Sequence, residues 1–246
     1  MKPGNAFNHI GIVFRKELSG YFASPIGYVF IIFYLLVSNA FFFFIRDFFR
    51  EGQATMRGYF LVLPWMLLFF VPAITMRLWA EEKKSGTLEL LLTLPIREIE
   101  AVLGKFFASF AFLTITLACS ITIPITIGIL GQPDWGVIVA SYVGALLLGS
   151  AYLAIGLWIS SLTENQVVAF IVSVAALFAL LSVGLVPAWL ESLGPLVAVC
   201  NYLSLLTHFQ SVIRGVVDTQ DIVYYVSVAV LFLYLNVKNL ESRKWK

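Results

Sequence analysis

Charge is scarce in this chain, and its absences come in blocks. Lys, Arg, Asp and Glu account for 30 of 246 residues, or 12%, about half the share usual in a soluble domain. Seven intervals contain none: Leu18–Ile45, Gly58–Met76, Phe106–Pro133, Trp135–Thr163, Asn165–Leu190, Ser192–Ile213 and Ile222–Val237, together 168 residues. A soluble protein would need charged surface between its core segments. Six of the intervals approach or exceed the ~20 apolar residues with which a helix crosses a bilayer. Secreted, fibrous and disordered chains are excluded, and no room is left for a sizeable soluble catalytic domain. The pattern predicts an all-α polytopic membrane protein with a single transmembrane domain over 1–246.

Other scarcities narrow the chemistry. The net charge of +2 is too small to indicate nucleic acid as a partner. The two cysteines, Cys119 and Cys200, lie far apart in apolar surroundings and read as packing residues. The two histidines, His9 and His208, form no His-x-x-x-His or His-Glu-x-x-His pattern. Glu81 and Glu82 are adjacent and face different sides of a helix, so no metal site is expected. No Gly-x-Ser-x-Gly turn carries a nucleophile, and no catalytic residue is expected. No cleavable signal peptide is expected, because polar residues from Asn5 to Glu17 interrupt the N-terminal region. Asp and Glu are missing from the apolar intervals, which disfavours an ion-coupled carrier. His208 is the sole candidate relay, and a hydrogen-bonded packing role suits it better.

Basic residues set the expected topology. If Ser192–Ile213 does not cross, there are six spans and both termini share a side. That side then holds 12 Lys and Arg against 4 opposite, as the positive-inside rule prefers for a cytoplasmic face. Nine of the 22 residues in Ser192–Ile213 are not apolar, so an external re-entrant or interfacial segment is expected over 187–220. The spans are placed near 25–45, 58–77, 106–130, 136–159, 166–186 and 221–238.

The ends of these spans carry further signals. Phe7, Ile10, Phe14, Leu18 and Tyr21 recur at helical steps, predicting an amphipathic interfacial helix over 6–23. Ser24-Pro25 restarts the helix with a cap and a proline in its first turn. Pro64, Pro72 and Pro124 are expected to kink spans two and three. In span four, Ser141, Ala145, Gly149, Gly156 and Ser160 form a small-residue stripe, suited to packing within one subunit or between two.

The charged stretch over 78–105 holds a short helix. Thr87 is placed to cap it, Glu89 lies in its first turn, and Pro95 ends it. Leu88, Leu90, Leu91, Leu92 and Leu94 give it more apolar surface than a solvated loop carries. That surface suits either the membrane interface or a groove on a partner.

The string from Ala80 through Glu81, Glu82, Lys83, Lys84, Ser85, Gly86 and Thr87 to Pro95, followed by Gly104-Lys105, resembles the signature loop of ABC-2 type exporter permeases. Lys16-Glu17-Leu18, with Tyr21-Phe22 and Ser24-Pro25, resembles that family's connecting helix and the start of its first span. Leu203–Asp218, ahead of Tyr224-Tyr225, resembles the segment before the last span in the gliding-motility-type subgroup.

The resemblance implies six spans, in the manner of type V ABC exporters, in a bacterial cytoplasmic (inner) membrane with both termini cytoplasmic. Phe14, Arg15, Lys16, Glu17, Leu18 and Tyr21 would belong to the connecting helix. Glu81, Glu82, Gly86, Thr87, Leu88, Glu89, Leu90, Leu91 and Pro95 would couple to a separate cytoplasmic ATPase. Pro187, Pro195, Asn201, His208 and Arg214 would belong to external re-entrant helices before span six. A second copy of the chain, or a similar permease, would complete the complex in the lipid bilayer.

ATP and Mg would reside on the partner. No Gly-x-x-x-x-Gly-Lys-Ser/Thr loop is present here: Gly104-Lys105 is followed by Phe106 and preceded at position 99 by Ile. Two alternatives share much of this pattern. In one, the subunit drives cell-envelope machinery mechanically, with envelope proteins as partners. The other is an ion-coupled secondary carrier.

Overall fold

The structure, a computed structural model, describes residues 6–45, 54–93, 95–185, 202–216 and 218–243. Among these, the regular elements are all helical. α1 spans Ala6–Ala23, and α2 spans Pro25–Ala40 before passing into one π-helical turn, Phe41–Ile45. α3 is Arg57–Lys84, α4 Thr87–Thr93, α5 Glu98–Cys119 and α6 Thr122–Leu130. α7 is Trp135–Leu162, α8 Gln166–Ser182, α9 Leu205–Ile213 and α10 Thr219–Arg243.

Among the described residues, five stretches are long and apolar enough to cross a membrane: Pro25–Ile45, Arg57–Lys84, Glu98–Leu130, Trp135–Leu162 and Thr219–Ser242. α8 is apolar but only 17 residues long, about 26 Å at 1.5 Å per residue. The structure thus supplies five full-length candidates and one shorter helix where the charge gaps predict six spans.

Local chemistry sets several boundaries. Ser24 accepts the Ile26 N–H at 3.3 Å and Pro25 opens α2, as the Ser-Pro pair predicts. Asp134 caps α7 through the Gly136 and Val137 N–H groups, and Asn165 caps α8 through Val167 and Val168. Pro64 and Pro72 sit inside α3, which runs uninterrupted past both. The third apolar stretch instead breaks at Ser120–Ile121. Pro124 then lies in the first turn of α6, where its missing N–H costs no helical hydrogen bond.

α7 is the central helix, packed against α3, α5, α8, α9 and α10. Its stripe of Ser141, Ala145, Gly149, Gly156 and Ser160 is buried inside the chain. A side chain at Gly149 would clash with Leu113 of α5, and one at Gly156 with Thr75 of α3. Between the two roles left open for this stripe, intrachain packing accounts for these five residues. α2 is the most peripheral apolar helix. It buries Gly27, Tyr34 and Ser38, and the Tyr34 hydroxyl meets that of Tyr59 at 3.0 Å.

Candidate functional site

α3 does not end where its charge-free interval ends. Charge marks where the apolar stretch stops, but Ala, Glu and Lys are good helix formers. The helix therefore continues through Arg77 to Lys84, beyond the boundary predicted near residue 77. The segment over 78–105 is accordingly mostly helical: the last turns of α3, a tight turn, α4, and the start of α5 at Glu98.

The turn is closed at Gly86, whose φ of +71° is a left-handed conformation that glycine adopts without a Cβ penalty. The Ser85 N–H bonds to the Glu81 carbonyl at 3.0 Å, and the Gly86 N–H to the Lys83 carbonyl at 3.1 Å. This turn directs Thr87 backward. Its hydroxyl donates to the Glu82 carbonyl at 3.3 Å and lies 2.9 Å from the Ser85 hydroxyl. Thr87 thus begins α4 and ties it to α3, and does not serve as the predicted cap.

α4 has two faces. Leu88 is 6% exposed, and Leu91 packs beside it on the core. Leu90 is 67% exposed, and Thr87 and Glu89 share its open side. Glu81 and Pro95 are exposed as well. Leu94 lies outside the described residues.

The root of this projection is a cluster of charges. Lys105, 1% exposed, donates to Glu17 at 2.7 Å, to Glu82 at 2.9 Å and to the Leu78 carbonyl at 2.9 Å. Its ammonium also lies 4.8 Å from the centre of the Trp79 ring. Lys16 reaches Glu82 at 3.0 Å and Glu17 at 3.5 Å from the open side. Two cations and two carboxylates from α1, α3 and α5 thus close on one another. Burial alone would lower the Lys16 pKa, but its bond to Glu82 and the charges of Glu82 and Glu17 outweigh that and hold it above the ordinary lysine value.

α1 lies along α5, with its inward face rotated from the one the apolar period predicts. Val13 and Tyr21 are buried, while Phe14 and Leu18 are half-buried at the flank and Arg15 is exposed. His9 meets Glu100 at 2.9 Å. Tyr21 donates to the Ile74 carbonyl at 3.2 Å and stacks on Phe112, with the Arg77 guanidinium 4.6 Å from its ring centre. The inward face therefore mixes apolar residues with polar ones, and hydrophobic spacing alone does not mark it.

α7 and α10 join the same foot. The Ser160 hydroxyl donates to the Met76 carbonyl at 3.0 Å and accepts from the Trp79 and Ala80 N–H groups, so it inserts into the backbone ladder of α3. Lys83 donates to the Ser161 carbonyl, which Asn239 of α10 also reaches at 2.8 Å. Sequence reasoning missed the roles of Val13, Lys105, Ser160 and Asn239. The one available signal was a lone lysine after Gly104 at the start of an apolar run.

Residues 68–238, more than half of the chain, match the family described as ABC-2 family transporter protein. The chain belongs to the ABC-2 transporter family. It is a multi-pass membrane protein of the permease type, and such permeases normally work with a cytoplasmic ABC ATPase. No curated protein matches it. The match begins within α3 and ends within α10, so it takes in α4 and Lys105 but not α1 or α2.

At the far end of this ABC-2 chain, α9 is held against the bundle. Leu205, Leu206, Phe209, Val212 and Ile213 are buried in it. His208 bonds to Asp221 at 2.6 Å and to the Tyr202 carbonyl at 3.0 Å, and it stacks on Tyr224 with ring centres 4.1 Å apart. This is a packed, hydrogen-bonded histidine. Arg214 is exposed at the C-terminal end of α9. Pro187, Pro195 and Asn201 lie outside the described residues. Among the described residues, no group of three or more His, Cys, Asp or Glu is placed to hold a metal.

Proposed function

We propose that this ABC-2 chain is the membrane subunit of an ATP-driven exporter, coupling hydrolysis on a separate cytoplasmic ATPase to movement of a substrate out of the cytoplasm. The observation that carries the reading is α4: a short helix on the helical extension of α3, anchored by Leu88 and presenting Thr87, Glu89 and Leu90 outward. An exposed Leu between polar neighbours, fixed by a left-handed glycine turn, has the form of a docking knob.

On this reading ATP and Mg bind the partner, and closure of two ATPase subunits pushes α4. The ionic cluster at Lys105 carries that displacement into α1 and α5. A second copy of the chain pairs with the first, and the bundle converts between two packings. The chain forms one domain in a bacterial inner membrane, with α8 as the short fifth of six spans and both termini cytoplasmic. The segment before α10 is the external re-entrant element. Leu203–Asp218 supports placement in the gliding-motility-type subgroup.

Coupling is tested by co-purification and ATP hydrolysis. Glu89→Ala combined with Leu90→Asp is expected to leave the chain folded while abolishing ATPase association and stimulation. Intact association would sink the role of α4. A topology reporter fused after Ser242 is expected to read cytoplasmic, and an external signal would refute the six-span arrangement.

A further inference from the structure

Along the first half of α10 runs a groove of about 420 Å³, open to the outside of the bundle. Tyr202, Thr219 and Gln220 stand at one end, Tyr224 and Ser227 line the middle, and Leu231 closes the other end. Among the described residues no charged side chain lines it. Of the two carboxylates beside it, Asp221 is 4% exposed and turned inward to His208, while Asp218, just before α10, is exposed and accepts the Gln220 N–H at 3.3 Å. The side-chain polar groups of Tyr202, Thr219, Gln220 and Ser227 have no hydrogen-bond partner among the described residues, so the groove offers neutral donors and acceptors that are not already spent.

Length and gradient point to the occupant. Twelve residues separate Thr219 from Leu231, about 18 Å of helix. That is slightly more than half of a ~30 Å hydrocarbon core, the depth of one leaflet with the start of its headgroup layer. Polar groups gather at the end of α10 nearest the membrane surface, and apolar ones lie deeper. A free polar solute would leave the apolar half unmatched. An anionic headgroup would find no counter-charge among the lining residues, would face the exposed Asp218 carboxylate beside Gln220, and would lose hydration to neutral partners. Mostly apolar clefts with a few orienting polar groups are the usual form of small-molecule sites.

We propose that this groove binds a single-leaflet amphiphile with an uncharged, hydroxyl-bearing headgroup. Tyr202, Thr219 and Gln220 hydrogen-bond the head, and Val228 and Leu231 receive the chain. The proposed topology bears only on which leaflet supplies the molecule. Binding needs no ATPase, so failure here and failure of the coupling reading are separate results.

The test uses the full-length chain in nanodiscs that contain equal amounts of two dioleoyl lipids, one glycerolipid bearing a single uncharged glucose and one phosphatidylglycerol. Native mass spectrometry counts the lipid retained. The glucolipid is expected to be retained about tenfold over the phosphatidylglycerol. Tyr202→Phe with Gln220→Leu, which removes two hydrogen-bonding groups at exposed positions, is expected to lower that retention about tenfold. Ser227→Trp, which fills the groove from an exposed position, is expected to remove both lipids. Equal retention of the two lipids, retention of neither, or retention unchanged by the double variant or by Ser227→Trp would overturn the proposal. Thermal unfolding of each variant, unchanged from the parent, establishes that the loss is one of binding.

Discussion

At one end of the bundle Lys105 draws α1, α3 and α5 onto a single ammonium. At the other, His208 draws α9 onto the first turn of α10. Both residues are buried and both hold an amphipathic helix in place, yet the contacts differ in reach. Lys105 bonds to residues 88 and 23 positions away, whereas His208 and Asp221 are 13 apart. The His208 pair closes a local hairpin that Leu205, Phe209 and Val212 already hold by burial. The members of the Lys105 cluster come from three separate helices and meet only when these are in register, beside the Tyr21–Phe112 stack and the His9–Glu100 bond that also hold α1 on α5. One end is therefore packed as a local hairpin, and the other is packed and also tied across three helices.

The comparison breaks most sharply at Lys105. Lys105→Met is expected to destabilise the chain by about 3–5 kcal/mol, because Glu17 and Glu82 lose their shared buried cation. Denaturant or thermal unfolding in detergent measures this. Adding Glu82→Gln should restore part of the loss, since the cost lies in the unpaired charge. Lys16→Ala, at the open edge of the same cluster, should change stability by less than about 1 kcal/mol. A Lys16 effect equal to that of Lys105 would show that the two are not divided by burial.

A smaller effect is expected at the opposite end. His208→Phe keeps the aromatic stack on Tyr224 but leaves Asp221 without its ring nitrogen. The expected cost is about 2 kcal/mol, with α1 and α4 unaffected in hydrogen exchange. A loss matching that of Lys105→Met, or altered protection at α4, would erase the distinction between the two ends.

A small change in stability is expected at the turn. Gly86→Ala meets open space but must keep a left-handed φ, at a cost of about 1 kcal/mol. Because this turn aims α4, the same variant is expected to lower ATPase stimulation more than its stability loss explains. Parallel measurements of unfolding and ATP hydrolysis separate the two.

Much of this architecture was legible in the sequence, for identifiable reasons. Burial in a bilayer demands uncharged stretches, so the gaps located the apolar helices. Ser24-Pro25 carries its own local start signal, whereas Thr87, read as a cap, is the first helical residue and bonds back to α3. The end of α3 was not legible, because charge reports the edge of the membrane and not the end of a helix. The inward face of α1 was missed because it mixes Val13 and Tyr21 with His9 and Glu17, which hydrophobic spacing cannot recognise. Lys105 reads in sequence as a boundary lysine, since its partners lie on two other helices at separations with no periodic meaning. Glu82, grouped by sequence with the outward-facing loop residues, turns instead into the cluster.

In the proposed coupling α4 offers one face to a separate ATPase and keeps the other on its own core, and site-specific cross-linking tests this directly. With Cys119 and Cys200 replaced, a single cysteine is introduced at Leu90 or at Leu88, and the chain is treated with a short thiol cross-linker in membranes containing its ATPase. The exposed position 90 is expected to cross-link to the ATPase, and the buried position 88 is expected not to. Equal cross-linking at both positions, or none at position 90 in a complex that hydrolyses ATP, would contradict the assignment of α4 as the coupling element.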